Sequence, residues 1–132
     1  MEDVTLTENK NLVRKFFSYF EKGDVPAVIA LFSPDATYWI PTVRQEFRMP
    51  EFSTALHWIQ SRLKDGIRFE LGDMVAEQNK VSVMAESFAI TAEGQDFNNL
   101  YHIFFEIEGG KIIRAREYND TAHVLNTLRS TQ

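Results

Sequence analysis

Cysteine is absent from the 132 residues of this chain, which removes disulfides, thiolate nucleophiles and Cys-ligated zinc together. Proline and glycine are also scarce, at four and six residues, and no low-complexity tract, internal repeat or linker appears. No apolar run approaches the roughly 20 residues that span a bilayer, and the N-terminal residues lack a basic-then-apolar targeting pattern. A cytoplasmic protein without membrane association is therefore expected. An excess of basic residues is missing too: 14 Lys and Arg face 19 Asp and Glu, for a net charge of −5. The basic residues are scattered, so no stripe could neutralise phosphates and no nucleic-acid partner is expected.

What remains is typical of a packed globule. Hydrophobic residues make up 44% of the chain and aromatic ones 13%, with 11 Phe, four Tyr and two Trp. Aromatic side chains fill core volume, but they also line apolar pockets. The length suits one domain, read as residues 1–132, with a single core.

Local patterning gives an element order. Thr5 and Glu8 have the spacing of a capping box, and Leu12, Val13, Phe16, Phe17 and Phe20 recur as one face of a helix that Gly23 would end. Asp24 reads as the N-cap of a short second helix, with Pro26 in its first turn and Ser33-Pro34 as its stop. Residues 36–40 form a strand closed by Pro41, and residues 42–49 read as irregular. Pro50 opens a third helix carrying Phe52, Leu56, Ile59 and Leu63, with Gly66 as its C-cap. The period then changes to two, through Ile67, Phe69 and Leu71 and on to strands over 81–91, 98–108 and 111–119. Gly109-Gly110 suits a tight hairpin, and residues 121–129 are weakly helical. Helices followed by a run of antiparallel strands predict an α+β fold, with three N-terminal helices packed on one face of a mostly antiparallel sheet.

Alternation sorts the last two strands into faces. Asn99, Tyr101, Ile103, Phe105 and Ile107 share the more apolar side, which should face the helices. Pairing through the glycine turn adds Ile113, Ala115, Glu117 and Asn119 to that side and turns Arg114, Arg116 and Tyr118 outward. The inner face is thus apolar near the hairpin and polar at its far end, where Asn99, Tyr101, Glu117 and Asn119 converge. A carboxylate there needs a partner or a wet site, and an apolar cleft with a few convergent polar groups is the usual form of a small-molecule site. Two uses stay open for Glu117: contact with a ligand, or a structural network with Asn99, Tyr101 or Arg44. Tyr38 and Trp39 belong to the first strand and are candidates for the pocket mouth; Trp58 lies beside the apolar stripe of the third helix. Glu86 interrupts an apolar strand. If it points inward it pairs with Glu117, and one of the two carboxyls then holds its proton to higher pH.

The segment from Asn98 to Leu125, NNLYHIFFEIEGGKIIRAREYNDTAHVL, resembles the end of SnoaL-like proteins of the NTF2-like superfamily. The likeness rests on Asn99-x-Tyr101, the hairpin exit Gly110-Lys111-Ile112, and Arg116-Glu117-Tyr118 followed by Asp120. Gly23-Asp24 and ALFSPDATYWIP, running from Ala30, fit the first half of the same family. The resemblance implies a cone-shaped roll, a pocket between sheet and helices, and dimerisation through the sheet. It covers relatives with quite different roles, from ketosteroid isomerase, limonene epoxide hydrolase and polyketide cyclases to non-enzymatic binding modules.

Carried over by position, the Tyr/Asp/Asp set of the ketosteroid isomerase would fall near Phe16, Ile40 and Ile103. All three are apolar here, which excludes that mechanism and leaves them as wall residues of a ligand site. The polyketide-cyclase acid would also fall near Ile103, and the Arg and paired-Asp set of the epoxide hydrolase is not evident. The reading that results is a small-molecule-binding domain. As an enzyme it would be an isomerase, hydrolase or cyclase working without a cofactor, with Glu117 as acid or base and Tyr101 and Asn99 holding a polarised oxygen. The alternative is a non-catalytic ligand-binding or dimerisation module. His57, His102 and His123 show no metal-ligand spacing, so no metal site is expected. Leu100, Phe104, Ile112 and Tyr118 make the outer face too apolar for solvent, and a homodimer through that face is expected.

Overall fold

The computed structural model describes residues 3–128. The first helix, α1, runs Val4–Glu21 and turns Val13, Phe16 and Phe17 into the core. Its N-cap is Asp3, whose carboxylate accepts from the Thr5 amide at 2.7 Å, so the helix is capped two residues before the expected Thr5–Glu8 box. Gly23 ends it at φ +69°. There the amides of Gly23 and Asp24 donate to Phe20 and Tyr19, the paired bonds of a left-handed C-terminal cap that favours glycine. Asp24 then caps the second helix, α2, Val25–Ala30, by accepting from Ala27.

The first strand, β1, spans Phe32–Ile40. It starts earlier than expected because Ser33-Pro34 sits in an irregular stretch of pairing between Phe32 and Thr37 rather than in a break, as proline does in edge or bulged strands. Residues 42–49 are not irregular throughout: after a turn at 41–44, β2, Gln45–Arg48, folds back on β1. The third helix, α3, Met49–Arg62, is held at its start by the Glu51 carboxylate accepting from the Arg48 amide at 2.9 Å. It runs straight into β3, Leu63–Glu77, so Gly66 (φ +84°) lies inside a strand and is not a helix cap. The remaining strands are β4, Lys80–Thr91, β5, Asp96–Phe97, β6, Leu100–Glu108, and β7, Lys111–Asn119, and a short α4, Thr121–Asn126, follows.

The main sheet path is β2-β1-β7-β6-β4-β3, with β5 paired on β4. Every pairing is antiparallel except β1 with β7. Helices α1 and α3 cover one face of it, which is the expected α+β arrangement. Among the described residues no helix is long and apolar enough to cross a membrane.

One local irregularity changes the sorting of faces. Phe105 pairs with Ala115 but Ile107 pairs with Ile112, so β7 carries extra length just after the hairpin, as a β-bulge does. Ile112, expected outside, is therefore fully buried, and Ile113, expected inside, is not. Beyond the bulge the expected parity holds. Ile103, Phe105 and Ala115 face the core, while Leu100 and Tyr118 are exposed.

Candidate functional site

The core is built around Phe16, whose ring meets Phe17, Phe20, Phe32, Tyr38 and Phe105 at centroid distances of 5.2 to 6.1 Å. Tyr38 lies between the rings of Phe16 and Phe52, stacked on Phe52 at 4.0 Å and 13°. Rings of this bulk, carried by α1, α3 and β1, hold sheet and helices apart beside them. A cavity of about 380 Å³ opens there, bounded by α1, α3, β1 and the inner sheet face. Its wall includes Phe16, Phe20, Phe47, Phe52, Phe69 and Phe97, together with Trp58, Ile40 and Ile103.

Polar groups meet at one region of this wall. On β7, Glu117 stands opposite Ile103, and Asn119 opposite Tyr101. Tyr38 approaches from β1, which runs parallel to β7 with Tyr38 in register with Ala115. The Tyr38 hydroxyl donates to Glu117 Oε1 at 2.6 Å, and Asn119 Nδ2 donates to Oε2 at 2.6 Å. Both carboxyl oxygens therefore have a donor, as a carboxyl in apolar surroundings requires. Glu117 borders the cavity and is half-buried.

This setting moves proton affinities. Burial raises the Glu117 pKa above its ordinary 4.5, and the bonds from Tyr38 and Asn119 pull it partway back. Tyr38 is held well above 10, first by burial and then by the Glu117 charge beside it. Tyr101 is raised for the same two reasons. Both phenols therefore stay protonated throughout the physiological pH range. Tyr101 Oη also meets Ser87 Oγ at 3.0 Å, and Ser87 Oγ accepts from the Asn99 amide at 3.2 Å.

The expected site residues divide clearly. Glu117, Asn119, Tyr101, Tyr38, Trp58, Phe16, Ile40 and Ile103 all line the cavity. Asn99 does not. It is buried behind Tyr101, and neither of its side-chain amide atoms makes a hydrogen bond of normal geometry. Glu86 lies on the outer face, paired across strands with Leu100 and Glu70 and bonded by Asn98 at 2.8 Å; a Glu86–Glu117 pair does not form. Trp39 also faces out, with the Arg116 guanidinium 4.4 Å from its ring, because its neighbour Tyr38 takes the inward position of the strand. Arg44 sits in the turn after β1 at φ +53°, and the partners of Glu117 are Tyr38 and Asn119 instead. His57 and His102 are exposed, His102 touching Ser82 on the outer face, and His123 stacks on Phe97. Among the described residues no three His, Asp or Glu side chains are grouped as a metal set.

Two features of the site were not read from the sequence: Ser87 and the bond between Tyr38 and Glu117. Ser87 occupies the inner parity of β4 with Val81, Val83 and Ala85, a pattern visible once one of those residues is known to face the core. The bond from Tyr38 to Glu117 spans 79 positions and depends on the parallel pairing of β1 with β7, which no local period encodes.

The fold has clear counterparts among solved structures. A putative SnoaL-like polyketide cyclase from Jannaschia sp. CCS1 matches over 100% of this chain and 99% of its own, at TM-score 0.84 and 12% identity. PrhC from Penicillium brasilianum NBRC 6234 matches over 96% of this chain and 88% of its own, at TM-score 0.86 and 19% identity. An LEH-like epoxide hydrolase from M. tuberculosis matches over 95% and 92%, at TM-score 0.75 and 20% identity. Likeness at such identities establishes the fold and leaves the chemistry open. No protein of curated function matches the sequence significantly. The SnoaL-like domain model matches residues 13–115, and the chain belongs to that family, on the NTF2-like fold.

Proposed function

We propose that the cavity binds a small, largely apolar molecule and that Glu117 acts on it as general base or acid, in an isomerisation, hydrolysis or cyclisation that needs no cofactor. The observation that supports this most is a carboxyl group, raised in pKa by burial, on the wall of an aromatic cavity. A base is most effective when its pKa lies near the working pH, and an apolar pocket brings Glu toward that range. Tyr101 lines the same cavity with a hydroxyl that stays protonated, so it is the group to hydrogen-bond a ligand oxygen on which charge develops. Tyr38 and Asn119 fix the carboxylate in place. Asn99, set behind the wall, supports Tyr101 through Ser87 and does not touch the ligand.

Abstraction of a proton next to a carbonyl is an elementary step common to such isomerisations and cyclisations. It is measurable without the natural substrate, as hydrogen–deuterium exchange of 2-tetralone in D₂O followed by NMR. The protein is expected to accelerate exchange over buffer, and Glu117→Gln to lose about 10²- to 10⁴-fold of that acceleration. Equal acceleration by the variant would remove Glu117 from the chemistry.

A second reading has its own support. Both Glu117 oxygens are already satisfied within the protein, as in a binding protein that uses the carboxylate only for structure. Binding of 2-tetralone by both proteins without accelerated exchange by either would favour that reading. We further propose a homodimer through the outer sheet face, where Leu100, Met84 and Tyr118 are 59%, 53% and 47% exposed.

A further inference from the structure

Glu51 and Glu117 are the only charged side chains among the described residues lining the cavity, and no Lys, Arg or His contributes to its wall. Five arginines of the sheet and its flanks, natural partners of an anion, are engaged elsewhere, and Arg44 is exposed in the turn after β1 and does not line the cavity. Arg114 pairs with Glu106 at 2.5 Å, Arg68 with Glu70 at 2.9 Å and Arg48 with Asp35 at 3.3 Å. Arg116 lies over Trp39 on the outer face, and Arg62 donates to the Leu128 carbonyl and lies near Glu93.

We infer that the cavity selects an uncharged ligand and rejects carboxylates and phosphates, with Glu117 as its main specificity-determining residue and Glu51 as a weaker one. This rests on the reading of the cavity as the ligand site. An anion entering it would give up hydration, find no cation, and face acidic side chains that repel it whenever they are ionised. A cation is not the favoured occupant either. An ammonium loses its water on entry, and desolvation of an ion pair is offset only by close, unshared hydrogen bonds. The carboxylate it would meet already takes a bond from Tyr38 on one oxygen and from Asn119 on the other. An uncharged molecule bears neither cost. Its rings bury against Phe16, Phe52 and Phe69, and its single oxygen reaches Tyr101.

Three probes of one size separate these cases: 2-naphthalenemethanol, 2-naphthoate and 2-(aminomethyl)naphthalene, titrated calorimetrically into the full chain near neutral pH. The alcohol is expected to bind at least about tenfold more tightly than the naphthoate and no more weakly than the amine. The gap between alcohol and naphthoate should narrow in Glu117→Gln and, by less, in Glu51→Gln. Glu51 is exposed, and Gln can still accept from the Arg48 amide, so this second variant keeps the test valid if the first fails to fold. Naphthoate binding as tightly as the alcohol, an amine binding more tightly, or a gap unchanged in both variants would each overturn the charge selection while leaving the cavity as a ligand site. Binding of none of the three would overturn the ligand site itself, and the selection with it.

Discussion

Glu117 holds its proton to higher pH than a solvated glutamate because burial penalises the carboxylate more than Tyr38 and Asn119 compensate. Between its unfolded and folded pKa values the folded chain therefore binds more protons than the unfolded one. Its contribution to stability is complete below the unfolded value of about 4.5 and is lost as pH rises through the folded one. Glu117→Gln removes this dependence, so the variant should melt above the native protein near neutral pH, with the difference vanishing around pH 4. Melting curves across pH test this; a variant that melts lower at every pH would contradict it. Tyr38→Phe deletes one of the two donors that stabilise the carboxylate. The pH at which stability falls should then move upward, with a loss of about 1–3 kcal/mol once Glu117 is charged and Oε1 lacks its donor. Much of this site was legible in the sequence. Period-two alternation, joined to pairing through the glycine turn, put Tyr101, Glu117 and Asn119 on one face, since parity is a local property of each strand. The same rule was silent on Glu86, whose strand has apolar residues at both parities, and it could not bring Tyr38 to Glu117 across the sheet.

The helices and hairpins were read most accurately where capping chemistry and periodicity coincide, as at Gly23-Asp24 and Gly109-Gly110. They were misread where tertiary pairing decides. Three of residues 45–48 are polar or charged and only Phe47 is apolar, yet they form β2 by pairing with β1. Gly66 carries a helix-ending signal but sits in β3, where the chain goes from helix to strand without a turn. The bulge in β7 buries Ile112 in place of Ile113, a shift that alternation counted from the hairpin cannot anticipate. Two element-level substitutions follow. Asp24→Ala removes the exposed cap of α2 and should cost about 1 kcal/mol in urea unfolding, without altering binding of 2-naphthalenemethanol. Phe52→Ala removes the ring stacked on Tyr38 and should cost about 3–5 kcal/mol, with loss of probe binding as the cavity wall opens. A loss below 1 kcal/mol at Phe52 would mean the ring does not brace the site.

Taken as a whole, the chain presents two different faces of one sheet. The inner face closes a cavity against α1 and α3, and the outer face carries exposed Leu100, Met84 and Tyr118 beside the Trp39–Arg116 stack. Exposed apolar surface of this kind is usually covered by association. Sedimentation equilibrium is expected to give twice the 15.3 kDa chain mass, and Leu100→Lys to shift it toward the monomer; a native monomer at micromolar concentration would contradict the dimer. Membership of the SnoaL-like family sets the scaffold, and Phe16, Ile40 and Ile103 contribute apolar wall to its cavity. What the scaffold does here turns on whether Glu117 meets a ligand. The most direct measurement is a ¹³C NMR titration of the Glu117 carboxyl in the absence and presence of 2-tetralone. The account predicts a midpoint above the ordinary 4.5 that rises further, with saturable shift changes, as the ligand displaces water from the cavity. A Glu117 that titrates at the ordinary value and does not respond to ligand would contradict it.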